Sequence, residues 1–306
     1  LFNPAQVTFV GGRARHGYFD AAGQRLIFQS EREPGNPFDQ IYSMDLLSGE
    51  VQRLSTGVGK ATCAWFHPDG THYLYASTHD ARTSRNKQKA ELDFRASGKI
   101  RRHDSWDYDA SYEIYIGATS GGAPDTEAMV NVTNTPGYDA EGAFSPDGSL
   151  IAFASNRRAF TRKLSSRDTK RLQVDPSYFI DLYVMKSDGS NVRRITETPG
   201  YDCSPFFSPD GTRIAWRRFN EAGTQSEIWT VKLDGSNERR LTQLGAMSWA
   251  PFYHPSGDYL IFTTNRHGSG NFELYIFDAL GARSPVRVTS TDGFDGLPVF
   301  STDGTR

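Results

Sequence analysis

Carboxylates recur along the chain in tripeptides of one kind, Gly137-Tyr138-Asp139, Gly200-Tyr201-Asp202 and Gly293-Phe294-Asp295, and Glu141 stands two residues beyond the first. Oxygen donors gathered in this way suit a hard cation such as Ca2+, or a cationic group on a partner. The plainer reading is that each Asp accepts backbone N–H groups of its own turn. Basic residues recur at a second set of places, in Glu31-Arg32, Asn156-Arg157, Arg217-Arg218 and Asn265-Arg266-His267. Of these, Arg157, Arg217 and Arg266 are candidates to hold an anionic group, and equally candidates for structural ion pairs with the repeated Asp. His16, His79 and Glu141 mix nitrogen and oxygen donors, a set that takes a transition metal. Trp106 and Trp249 offer flat faces that stack on a sugar or peptide, or that pack between loops.

Composition narrows the partners. The 306 residues carry 34 basic and 36 acidic side chains, a formal net charge of −2, which argues against a nucleic-acid binder relying on bulk positive charge. A hydrophobic content of 37% with 13% aromatics is that of a globular chain. No run approaches the ~18 apolar residues of a membrane span. The start, LFNPAQVTFV, has no basic segment leading into an apolar stretch, so any signal peptide is expected to have been removed. Cys63 and Cys203 are too few for a disulfide scaffold, and two separate thiols are expected. The chain contains no G-x-S-x-G elbow, H-E-x-x-H, P-loop or C-x-x-C.

The elements that must position these residues are repeats. A turn following an aromatic residue appears as Phe66-His67-Pro68-Asp69-Gly70, Phe144-Ser145-Pro146-Asp147-Gly148 and Phe207-Ser208-Pro209-Asp210-Gly211, with variants ending at Gly23, Gly257 and Gly304. Pro presets φ and Gly accepts a positive φ, so this is turn chemistry, and His67 and His254 read as turn residues standing where other copies have Ser. Each turn leads into an apolar run such as Ile151-Ala152-Phe153, then a second run such as Asp181-Leu182-Tyr183, Glu227-Ile228-Trp229 or Glu273-Leu274-Tyr275. Each unit closes on a strand such as Arg194-Ile195-Thr196, Arg240-Leu241-Thr242 or Arg287-Val288-Thr289. Four short β-branched and aromatic strands per unit, with no long segment of helical period, predict a β-propeller. The turn glycines lie 47, 78, 63, 46 and 47 residues apart, and the two long intervals require insertions at about 80–111 and 158–180. Gln6-Val7-Thr8 matches a closing strand and residues 295–306 a first strand and turn, which predicts one propeller domain over 1–306 with six blades, the last incomplete and closed by both termini.

The Phe-Ser-Pro-Asp-Gly, Ile-Ala-Phe, Asp188-Gly189-Ser190 and Arg-Leu-Thr segments resemble the repeats of the TolB-type, WD-repeat-like propeller over essentially the whole chain. Gly137-Tyr138-Asp139-Ala140-Glu141, Thr62-Cys63 and Ala76-Ser77-Thr78-His79 are similar to a stand-alone exported subgroup that lacks the small N-terminal domain of TolB itself. The resemblance implies periplasmic or extracellular placement and a binding role, and implies no reaction.

In a four-stranded blade the loop entering the first strand and the loop joining strands two and three open at one end, and the Pro-Asp-Gly turns at the other. The repeated Asp, the basic residues and both insertions therefore fall on one face, where long loops carry function. The expected function is a noncatalytic recognition module of the bacterial cell envelope for a protein, peptide or glycan. Its ligand contacts are Asp139, Glu141, Asp202, Asp295, Arg157, Arg217, Arg266, Trp249 and Trp106. The alternative is a lyase or hydrolase acting on a glycan or small substrate with a metal near His16, Glu141 and His79. A structural subunit of a larger envelope assembly is a third reading.

Overall fold

A computed structural model describes residues 6–10, 13–99, 108–120, 123–125 and 128–306. The described residues form five antiparallel sheets in simple up-and-down order, four of four strands and one with a fifth short strand. Blade one comprises Ala14–Phe19, Arg25–Ser30, Gln40–Asp45 and Val51–Arg53. Blade two comprises Ala61–Phe66, His72–Ser77, Glu113–Ser120 and Val130–Asn131, with the two-residue strand Ala123–Pro124 added at the far end of its third strand. Blades three, four and five begin at Asp139–Phe144, Asp202–Phe207 and Ser248–Tyr253 and end at Arg193–Arg194, Arg239–Arg240 and Val286–Arg287.

The sequence predicts six blades; among the described residues five form. Residues 6–10 adopt no strand, and the segment from Phe294 to Arg306 keeps its turn, an isolated bridge of Phe294 to Phe272, and bonds from Asp295 N to the Phe272 carbonyl (2.9 Å) and from Leu297 N to Thr263 Oγ1 (3.1 Å), with Leu297 at φ +58°. A first strand survives only where a second strand takes up its N–H and C=O groups, and among the described residues neither terminal segment finds one.

Two compact units divide the chain, Val7–Ala140 and a second that includes Glu141–Arg306. In each, both faces of a blade are buried. Along the second strand of blade four, Ile214 and Trp216 join Ala152, Leu182 and Phe207, whereas Ala215 joins Tyr253, Leu260 and Phe262. Alternate side chains point to opposite faces, so one strand feeds two cores.

The repeated turns are built alike. Ser145 Oγ donates to Asp147 (2.5 Å) and accepts from Leu150 N (3.0 Å), while Gly148 sits at φ +74°; Ser208, Asp210 and Arg213 repeat this. In blades two to five an acidic residue at the start of the third strand is clamped by the closing strand. Glu227 accepts from Thr242 Oγ1 (2.5 Å) and Arg240 (2.9 Å), and Glu273 from Thr289 Oγ1 (2.6 Å) and Arg287 (2.5 Å).

Both insertions lie between second and third strands, and each contains a helix that the sequence reading omits. Ser84–Ala96 is held by (i, i+4) pairs of Lys89 with Asp93 (2.6 Å) and Glu91 with Arg95 (3.0 Å), and Lys87 anchors it to buried Asp109 (2.7 Å). It leans on blade one through Arg95–Glu31 (3.0 Å) and Gln88 Nε2 to the Gly35 carbonyl (2.7 Å). In the second insertion Ser165 caps the helix Ser166–Val174 by accepting from Asp168 N, and Asp175 caps the turn Pro176–Phe179. Both helices are polar nearly all round, which hides them from a search for apolar periodicity. Among the described residues no helix is long and apolar enough to cross a membrane.

Candidate functional site

The site begins with a backbone irregularity. Pairing of the first strand with the second slips between Cys203 and Phe206 in blade four and between Trp249 and Phe252 in blade five. Inside each slip one non-glycine residue takes a left-handed conformation, Ser204 at φ +53° and Ala250 at +48°, and Glu141 matches them at +57°. His16 and Cys63, in the other unit, sit in the same kind of bulge at +52° and +50°. Such a conformation costs of order 1 kcal/mol or more, and a bulge re-aims the side chains beside it.

In the unit beginning at Glu141 the bulges assemble a polar cluster. Buried Glu141 accepts from Tyr201 Oη (2.5 Å), Ser204 N (2.8 Å) and Ser204 Oγ (2.6 Å). Arg217 donates through Nε to the Cys203 sulfur and lies over the rings of Tyr201, Phe219 and Trp249, 5.6–5.8 Å from their centroids. Burial works against the Arg217 charge, yet the neighbouring Glu141 carboxylate favours the charged form, and the guanidinium is held above its ordinary pKa. Burial also raises the Cys203 thiol far above its ordinary range, so it stays protonated and inert. Trp249 stacks on Phe272 at 4.5 Å, and its indole N–H has no partner among the described residues. A cation framed by aromatic faces beside an unsatisfied donor suits a carboxylate or another anionic group.

The other predicted residues are placed as follows. Asp202 is wholly buried and spent on Arg218, which bonds it through Nε and Nη2 at 2.7 Å each and reaches Glu238 at 2.7 Å. Adjacent arginines therefore split: the register sets Arg218 against Asp202 and Arg217 against Cys203. Asp139 is buried, with its N–H on the Tyr112 carbonyl. Asp295 accepts from Thr291 Oγ1 (2.7 Å) and Arg266 is exposed. Arg157 is buried over the rings of Phe153 (4.9 Å) and Tyr183 (5.5 Å). Trp106 lies outside the described residues. His16 and His79 belong to the unit Val7–Ala140 and Glu141 to the other, so no single unit gathers the three. His79 packs 4.2 Å from Tyr115 with Nδ1 at Ser77 Oγ (2.9 Å), and burial lowers its pKa. Both cysteines are free.

Sequence reasoning missed Tyr201 and Ser204 as partners of Glu141, and Arg218 and Glu238 as the partners that settle Asp202. The available signal is the pair of consecutive residues Asp202-Cys203 two strands' length before Arg217-Arg218, which one register brings face to face. The basic character of the second insertion, from Arg157 to Arg171, is already legible in the sequence. Arg158, Arg162, Lys163, Arg167 and Lys170 are all exposed there, with Asp168 the acid among them. Arg171 stacks on Tyr178 (4.3 Å) and donates to the Glu221 carbonyl (2.8 Å), which ties this basic helix to the loop following Arg217-Arg218-Phe219.

Comparisons with known proteins agree on the fold. Residues 168–306 match the TolB beta propeller domain. A TolB homolog of Chlorobium luteolum is 29% identical over 127 residues, 34% of this chain and 28% of that protein's length. The solved structure of a putative TolB from Agrobacterium tumefaciens superposes with a TM-score of 0.66 at 21% identity, over 95% of this chain and 87% of that one. An oligogalacturonate lyase solved with manganese superposes with a TM-score of 0.54 at 16% identity, over 89% of this chain and 64% of that one. These structural likenesses show the fold alone, because both binding proteins and enzymes share it. The matched repeats, the blade topology and the recurrent Pro-Asp-Gly turns together make this chain a β-propeller similar to the TolB-like family, whose domain model matches residues 168–306.

Proposed function

We propose that the protein is a noncatalytic recognition module of the bacterial cell envelope, periplasmic or extracellular, that binds an acidic segment of a protein partner at the blade ends carrying the second insertion. The observation that carries this reading is the row of exposed cations from Arg158 to Lys170, of which Arg167 and Lys170 stand on the capped helix Ser166–Val174 that Arg171 ties to the loop following Phe219. A basic patch on a chain of net charge −2 is a local field and not a by-product of composition. The affinity to a TolB homolog supports a binding role and the envelope as its place. Rim charges of this kind set the rate of encounter and its salt dependence, while buried aromatic and Arg anchors hold the bound segment.

The test uses a fluorescein-labelled oligo-glutamate peptide and anisotropy. The wild type is expected to bind it, and to bind more weakly as salt shortens the screening length from about 30 Å at ~0.01 M to about 8 Å at ~0.15 M. Arg162→Glu combined with Arg167→Glu, both exposed and free of structural bonds to the blades, is expected to weaken binding at least tenfold. Binding unchanged by the double substitution refutes the assignment of this surface.

A further inference from the structure

We infer that the Pro-Asp-Gly turn of blade two is a binding site for a divalent transition ion such as Zn2+, ligated by His67, Asp69 and His72. Their donor atoms lie within 4.8 Å of one another. Asp69 is held in the required orientation by the backbone: its Oδ1 accepts from Thr71 N (2.8 Å) and His72 N (3.0 Å), which leaves Oδ2 between the two imidazoles. Oδ2 lies 2.7 Å from His72 Nδ1 and 3.1 Å from His67 Nδ1. Bonds of about 2.0–2.1 Å in tetrahedral geometry put neighbouring ligand atoms roughly 3.3 Å apart, so small rotations of the rings admit an ion. Two imidazoles and one carboxylate are the nitrogen and oxygen set that prefers Zn2+, Ni2+ or Cu2+ over Ca2+ or Mg2+. The ion takes the Nδ1 lone pairs, displacing at His67 the bond its Nδ1 accepts from Asp69 N (3.1 Å); the ring protons reside on Nε2, and a proton shared between His72 and Asp69 moves to that nitrogen or to water. With three protein ligands and a partly exposed setting, a fourth position stays open to solvent.

In blade two the His67 imidazole takes part in the turn by accepting from Asp69 N (3.1 Å), but the fold closes such a turn without it. The same turn is closed at Ser145-Asp147, Ser208-Asp210 and Ser301-Asp303 by a serine hydroxyl bonding the Asp carboxylate. At the position of His72 those turns have Leu150, Arg213 and Arg306. The blade-five variant has His254, Ser256 and Tyr259, and His254 is used instead in a bond with the Gly304 carbonyl. Among the described residues, blade two alone brings together two imidazoles and a carboxylate on one turn, which Arg25 anchors from blade one through the Gly70 carbonyl (2.7 Å).

Calorimetric titration of chelator-treated protein with Zn2+ alone tests the assignment, with the visible absorption of bound Co2+ as a second reading of nitrogen ligation. The wild type is expected to bind one ion per chain with micromolar affinity. His72→Ala, and His67→Ser, which installs the residue of the sister turns and so preserves the fold, are each expected to weaken binding at least fivefold, whereas His254→Ser leaves it unchanged. No saturable binding by the wild type, or a smaller loss in either blade-two variant, overturns the site.

Discussion

Removing the Asp202 carboxylate isolates one buried charge, and the structure sets its cost. Asp202 is fully buried, Arg218 is 7% exposed, and the two share bonds of 2.7 Å from Nε and Nη2. Deleting one partner of a buried pair typically costs 3–5 kcal/mol, because the survivor remains desolvated without its counter-charge. Glu238 keeps its 2.7 Å contact with Arg218 Nη1, so Asp202→Ala is expected near the lower end, about 3 kcal/mol. Glu238 is itself 31% exposed, and Glu238→Gln is expected to cost no more than about 1 kcal/mol. Trp216 and Trp229 lie 5.2 and 4.7 Å from the Arg218 guanidinium, so tryptophan fluorescence during urea unfolding reports on this locus. At a slope of about 3 kcal/mol per M, the midpoint for Asp202→Ala falls by about 1 M. Arg218→Met packs an apolar chain on the same rings, and the pair Asp202→Ala with Arg218→Met is expected to be distinctly more stable than the sum of the two losses. A midpoint within about 0.3 M of wild type for Asp202→Ala, or strictly additive losses, refutes the reasoning. The same result would return Asp202 to the ligand contacts that the sequence suggests.

Gly200 and Gly223 provide a matched pair. Both have positive φ, +123° and +67°, but a Cβ at Gly200 would stand 2.6 Å from the Phe219 carbonyl oxygen, whereas Gly223 has open space. Gly223→Ala is expected to cost about 1 kcal/mol and Gly200→Ala distinctly more, about 2–4 kcal/mol, by denaturant unfolding; equal losses would show that the Phe219 carbonyl yields freely. His79 makes stability depend on pH. Burial lowers its folded pKa below the ordinary 6.5, against the opposing pull of Asp80, so the unfolded chain binds a proton in that window that the folded chain refuses. Its contribution is complete above pH 6.5 and is lost as pH falls below it; His79→Phe should flatten that limb of the stability curve, and an unchanged slope would count against it.

Much of the architecture was legible because its causes are local. Pro146-Asp147-Gly148 and its sister turns announce themselves by turn chemistry, and runs such as Ile214-Ala215-Trp216 by β-propensity and burial on both faces. The helices Ser84–Ala96 and Ser166–Val174 were not legible, since their residues are stabilised by caps, ion pairs and anchors such as Lys87–Asp109 instead of an apolar stripe. The candidate site was half visible. Repetition singled out Asp202, Glu141 and Arg217 as unusual, but not that Glu141 is the acceptor of Tyr201 and Ser204, 60 and 63 residues away.

The sequence by itself determined the strand-and-turn repeat, hence the propeller class, because a turn's φ preferences and a strand's alternation are properties of a few consecutive residues. Tertiary structure alone decided how many blades form and which arginine does what. Residues 295–306 carry the first-strand motif, yet a strand exists only through hydrogen bonds to a neighbour. Arg217 and Arg218 are chemically identical and adjacent, yet a period of two sends one to Cys203 and the aromatic cluster and the other to Asp202. Register is a relation between distant segments, and a shift of one residue would exchange the two roles.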